Sequence, residues 1–148
     1  MSSFSVKVNH IPKIVELEIS GQQLSLQYEK AEAQMPFPRS DHWYYYTNLE
    51  GLHAMLRYLV FSGTLYKADK FDCEDYALKA QTKAAEVFGK NALRYTYGNT
   101  PWGAHGFLSI WTEQGFMIFE PNASFQEKIG SPYFPWGANG YEPSHVLL

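Results

Sequence analysis

Phe71-Asp72-Cys73-Glu74-Asp75-Tyr76-Ala77 is the stretch on which the reading of this chain turns. Asp72 can cap a helix, and Asp75 stands three residues further on, where a capping-box acid reaches back to the cap. Acids in a first turn also suit the positive end of the helix dipole. From Cys73 the helical pattern runs to about Phe88 and stops at Gly89. Cys73, Ala77, Ala80 and Ala84 recur at intervals of four, three and four residues, so they share one face. A face of small residues lets a helix lie close to whatever is beneath it.

Upstream, Thr47 or Asn48 can cap a second helix with Glu50 in its first turn. Leu49, Leu52, Met55, Leu56, Leu59 and Val60 then keep helical spacing until Gly63. Further back, Ile14 to Ile19 and Leu24 to Tyr28 both alternate at strand period around a turn at Ser20-Gly21-Gln22-Gln23, which predicts a hairpin. Met35-Pro36-Phe37-Pro38 runs extended. Downstream, Leu93 to Tyr97 reads as a strand, and Gly106 to Thr112 with Phe116 to Pro121 as a hairpin around Glu113-Gln114-Gly115. Gly and Pro between Ile129 and Pro143 imply an irregular aromatic loop, and His145 to Leu148 a closing strand. The expectation is one α+β domain over 1–148, a helix with an N-terminal cysteine packed on an antiparallel sheet. It divides into a hairpin and extended segment (1–45), a core (46–124), and an aromatic loop with the closing strand (125–148).

Composition narrows the function. The 148 residues suffice for one core; aromatics make up 17% and charged residues only 18%, with a net charge of -3. No basic run is present to neutralise phosphates, so nucleic acid is not expected as a partner. No apolar stretch reaches membrane-spanning length, and Met1 to Val6 lacks the regions of a signal peptide. A single cysteine fits a reducing, cytoplasmic setting.

That cysteine is also the candidate nucleophile. A lone cysteine is ordinarily a small buried hydrophobe, but Cys73 falls in the first helical turn, where unpaired N–H groups and the dipole favour a thiolate. Asp72, Glu74 and Asp75 oppose that ionisation, so a nearby imidazolium is needed. His105 opens one strand of the predicted hairpin and Glu120 closes the next. With a loop of Thr112 to Gly115, Glu120 lies opposite Phe107 and diagonal to His105, on the same face. The expected roles are Cys73 as nucleophile, His105 as base and Glu120 as the group fixing the imidazole tautomer. The Cys73 N–H is an oxyanion candidate, and Trp43, Tyr46, Trp102 and Asn122 are candidates for substrate contact or an oxyanion donor. His10, His42, His53 and His145 have no partner pattern.

Phe71-Asp72-Cys73-Glu74-Asp75-Tyr76-Ala77, Gly103-Ala104-His105 and Ile118-Phe119-Glu120-Pro121-Asn122 together resemble the papain-like and transglutaminase-like cysteine peptidase superfamily. The nearest likenesses are to the C-terminal protease-like domain of mushroom agglutinins and to bacterial transglutaminase-like cysteine proteinases. The resemblance covers about 46–124. It implies a papain-like or transglutaminase-like core with Cys73, His105 and Glu120 at the catalytic positions. Asn122 and Gly106 depart from the pattern. The resemblance also raises calcium, for which Asp72 and Asp75 are candidate ligands; no spacing suggests zinc.

The leading expectation is therefore a cysteine hydrolase or acyltransferase, of the peptidase or transglutaminase kind, acting on an amide of a peptide or protein through a thioester at Cys73. The alternative is a catalytically idle binding module that holds a peptide or glycan between aromatic segments such as Trp43 to Tyr46 and Tyr133 to Trp136. A viral, phage-encoded or mobile-element accessory protein is a further rival. The strand Ile14 to Ile19 leaves a dimer open.

Overall fold

The Cys73 helix is where sequence and structure meet most closely. In the computed structural model, which describes residues 11–148, it spans Cys73–Phe88, and Gly89 ends it with a left-handed φ of 67°. At its start, the Asp72 N–H donates to Asp75 Oδ2 at 3.1 Å, the reach-back that the spacing predicts. In chain order the described elements are β1 (Leu17–Ser20), α1 (Gly21–Lys30), β2 (Trp43–Tyr46), α2 (Leu49–Leu56), α3 (Cys73–Phe88), β3 (Leu93–Thr100), β4 (Gly103–Thr112), β5 (Gly115–Phe119), α4 (Ala123–Ile129), β6 (Tyr133–Pro135) and β7 (Glu142–Val146). The chain is α+β, as its alternation of patterns implies.

Five strands form one antiparallel sheet in the order β6-β5-β4-β3-β7, while β1 and β2 pair separately. Helix α3 lies across β3 and β4. Its small face is what permits this: Ala77, Ala80 and Ala84 are fully buried against Leu93, Leu108, Ile110 and Phe119. Leu52, Met55, Leu56 and Leu59 of α2 and the turn after it close the same core. Asn48 caps α2, accepting from the Gly51 N–H at 2.8 Å, but the helix ends at Leu56 and the segment up to Gly63 is a turn. On the opposite face of the sheet, Phe107, Ile118, Phe134 and Tyr141 make a second cluster, and Leu24, Tyr28, Tyr44, Phe116 and Val146 a third.

The predicted N-terminal hairpin is not formed. Ser20 caps a helix instead, its Oγ accepting from Gln23 N–H at 3.1 Å, and residues 24–28 lie within α1. Leu24 and Tyr28, four residues apart, are fully buried and Leu26 is exposed, so helical spacing outweighs alternation. The loop predicted between Ile129 and Pro143 contains the short strand β6, and α4 stands before it. No helix among the described residues is long and apolar enough to cross a membrane.

Candidate functional site

Strand register places two of the expected residues. Thr112 pairs with Gly115 and Leu108 with Phe119, so the next step in the ladder sets Glu120 opposite Phe107, diagonal to His105. The tight turn is the one the Glu113-Gln114-Gly115 signal predicts, with Gly115 at φ 99°. His105 Nε2 and Glu120 Oε1 are 2.7 Å apart, and both side chains are buried. The contact is close but off the N–H axis: neither Nε2 nor Glu120 Oε2 has an aligned hydrogen-bond partner. Glu120 Oε1 is also the acceptor for the Tyr141 hydroxyl, at 2.6 Å.

The third residue arrives from the helix. Cys73, half-buried, opens α3, and its sulfur accepts the Gly106 N–H at 3.4 Å while the thiol reaches Glu74 Oε2 at 3.4 Å. Gly106 explains this approach. A Cβ there would stand 2.8 Å from Tyr95 Cε1 and 3.4 Å from the Glu74 Cα, so only glycine lets the helix start come down on β4.

His105 and Cys73 line the same cleft. Burial pulls the imidazole pKa down, but its contacts with Cys73 and Glu120, with the charge of both, push it up to about 9. Its ring stacks on Phe125 of α4, with centroids 4.3 Å apart. The site can therefore hold a protonated imidazole between a sulfur and a carboxylate, which is the arrangement that transfers a proton to and from a thiol.

Above the sulfur lies a cleft of about 410 Å³, lined by Gly63, Tyr66, Trp102, Ala104, Asn122 and Phe125 together with Cys73 and His105. Tyr66 and Trp102 are 49% and 46% exposed, so about half of each side chain is open to solvent at the cleft. Lys128 Nζ sits 4.9 Å from the Phe125 ring and 5.4 Å from that of Trp102. The segment from Phe61 to Tyr66 is fastened to the cleft by backbone bonds: Phe61 N–H donates to Pro121 O at 2.7 Å and Ala123 N–H to Phe61 O at 2.9 Å. The Tyr76 hydroxyl donates to Ser62 O at 2.6 Å.

Of the residues singled out from sequence, Cys73, His105, Glu120, Trp102 and Asn122 come together. Asn122 caps α4, its Oδ1 accepting the Ser124 N–H at 2.9 Å. Trp43 and Tyr46 lie in β2, outside the cleft. The Tyr133 to Trp136 segment is also elsewhere: Phe134 is core and Tyr133 packs beside His53. His53 is exposed as expected, and His145 Nδ1 is paired with Ser144 Oγ at 2.8 Å; His10 lies outside the described residues. Sequence reasoning missed Tyr66, Phe125 and Tyr141. Asn122 as a cap and Gly130 as a stop would have revealed the helix that delivers Phe125; nothing in the sequence ties Tyr141 to Glu120.

The acids beside Cys73 serve the helix start. Desolvation there, then the hydrogen bonds and charges of Glu74 and Asp75, raise the Asp72 pKa above the usual carboxylate range. Among the described residues no three His, Cys, Asp or Glu side chains gather as a metal set. Asp75 turns back to its cap, Oδ2 accepting the Asp72 N–H at 3.1 Å.

No family model and no curated protein matches the chain. Among solved structures, a "PSL1a-E64 complex" matches at 17% identity with a TM-score of 0.63, over 89% of this chain and 51% of that one. A Polyporus squamosus lectin, bound to the human-type influenza-binding epitope Neu5Aca2-6Galb1-4GlcNAc, matches at 16% identity with a TM-score of 0.62, over 89% and 50%. The chain spans about half the length of these proteins. At such identity the likeness is one of fold alone.

These matches correct the resemblance drawn from the motifs. One of the similar structures is of a lectin, and none of the comparisons supports membership of the papain-like and transglutaminase-like superfamily or the labels of hydrolase and thiol protease. The physical reason is plain at the helix start. Asp72 and Asp75 form a capping arrangement and Ala77 belongs to a buried small face, so a run of acid, Cys, acid, acid, aromatic and Ala is what any tightly packed, well-capped helix can present.

Proposed function

We propose that the chain is a binding module that takes an extended glycan or peptide into the cleft over Cys73. The observation that carries this reading is the pair of half-exposed rings, Tyr66 and Trp102, bordering a cleft of about 410 Å³. Exposed rings of this kind bind through their faces while their polar edges stay hydrated. The matching lectin structure carries a glycan, which supports a ligand of that class. Glycan and peptide arrays probed with the full chain test the proposal. Trp102→Ala should weaken the strongest hit at least tenfold, about 1.4 kcal/mol; a hit that survives both Trp102→Ala and Tyr66→Ala sinks it.

A second reading is favoured by Cys73, His105 and Glu120 standing together: acyl transfer through a thioester. Sγ attacks a carbonyl carbon while His105 takes the thiol proton; the proton then passes to the leaving group as its bond to carbon breaks, and an incoming nucleophile resolves the thioester. With p-nitrophenyl acetate this reading expects nitrophenol release and one acetyl group on Cys73 by intact mass. Release at an unchanged rate from Cys73→Ala ends it.

A further inference from the structure

The far side of the Glu120 carboxylate is closed by a residue from the C-terminal loop. Tyr141 follows a turn in which Gly137, Asn139 and Gly140 all take positive φ, at 84°, 57° and 75°. Its N–H donates to Ala138 O at 3.1 Å, and a Cβ on Gly140 would stand 2.7 Å from Pro101 Cγ. The ring is fully buried and meets Phe107 and Phe134 edge-on, with centroids 5.1 and 4.9 Å away. Its position is therefore set by packing, independently of its hydroxyl. That hydroxyl donates to Glu120 Oε1 at 2.6 Å, and Oε1 is the atom that His105 Nε2 contacts at 2.7 Å.

We infer that Tyr141 is a positioning residue, whose hydroxyl pins one oxygen of Glu120 and so keeps the carboxylate against the imidazole of His105. The inference rests on reading His105 and Glu120 as a coupled pair beside Cys73. Glu120 needs such a pin. Oε2 has no hydrogen-bond partner, and Gln126 Nε2 holds only the backbone oxygen of Glu120, at 2.9 Å. A free carboxylate retains torsional freedom that a fixed contact must overcome. Burial first, then the Glu120 charge, raise the phenol pKa, so Tyr141 stays a donor throughout the working range. The charged or titratable groups facing the imidazole are Cys73 and Glu120; Tyr141 faces Glu120, and Glu74 reaches the sulfur and Asp72.

The test is NMR titration of the five histidines in the full chain, with His105→Gln assigning the resonance. Wild type should titrate near the midpoint of about 9. Tyr141→Phe removes one oxygen atom and no packing; released, the carboxylate turns away and burial prevails. The midpoint should fall by about one pH unit, tenfold in proton affinity, and neutral-pH alkylation of Cys73 should slow. Glu120→Gln should lower the midpoint at least as far. Phe107→Leu, which loosens the ring cage but keeps the hydroxyl, should cost thermal stability and leave the midpoint in place. A fall with Glu120→Gln but none with Tyr141→Phe overturns the inference while sparing the pair. No fall with either variant overturns the pair and the inference together. An equal fall with Phe107→Leu also overturns it, since packing would then be the cause.

Discussion

Replacing Glu120 by Gln should reduce a pH dependence of stability that the wild-type chain carries. In the folded protein His105 titrates at about 9 against an ordinary value of 6.5, despite burial that acts the other way. A group whose pKa rises on folding stabilises the fold fully below its unfolded value, and the gain disappears as pH climbs through the folded one. The window is therefore pH 6.5 to 9. At about 1.4 kcal/mol per pH unit the interval corresponds to about 3 kcal/mol. For a chain of this size that is a fall in Tm of roughly 6 to 12 °C. Urea unfolding at half-unit steps from pH 6 to 9 measures it. In Glu120→Gln the carboxylate's share of the upward shift is gone while burial and the contact with Cys73 remain, so stability should decline less steeply across the same steps. The difference between the two curves cancels titrations they share. Parallel curves, or a wild type whose stability does not decline between pH 6.5 and 9, would refute the assignment of an imidazolium to this buried position.

Three further changes probe the frame around the site. Gly106→Ala sets a methyl 2.8 Å from Tyr95 Cε1 and should cost about 1–3 kcal/mol by overpacking, with altered Cys73 alkylation; equilibrium unfolding and labelling rates check both. Leu52→Ala empties a fully buried position between α2 and α3 and should cost about 2–5 kcal/mol in denaturant, without moving the His105 titration. Asp75→Ala removes the acceptor for the Asp72 N–H and should cost about 1 kcal/mol, read from the urea midpoint.

The placement of Cys73, His105 and Glu120 was more legible than their surroundings because it depends on local signals. Asp72 and Gly89 bracket α3 by capping chemistry, and a two-residue turn before Gly115 fixes which residue lies across from Phe107. Both are short-range facts. The N-terminal region was misread because Leu24, Leu26 and Tyr28 satisfy strand alternation while Leu24 and Tyr28 also satisfy helical spacing. The Ser20 cap, accepting from Gln23 three residues on, decides for the helix, and the same Ser20-Gly21-Gln22-Gln23 run also fits a turn. Aromatic residues gave no guidance about location: Trp102 borders the cleft, whereas Trp43 and Phe134 do not, and composition cannot separate them. Tyr141 was invisible for another reason. Its bond to Glu120 crosses 21 residues and two elements, α4 and β6, and no local pattern encodes it.

The two backbone bonds between Phe61 and the 121–123 segment have a mechanical consequence. They couple the segment bearing Tyr66 to the start of α4, so that side of the groove behaves as one rigid jaw. A ligand must arrive slim enough for the existing gap, since widening it means rupturing main-chain links. Association should then be fast and show little rearrangement, and bulky branched chains should be turned away by shape before any contact with the sulfur.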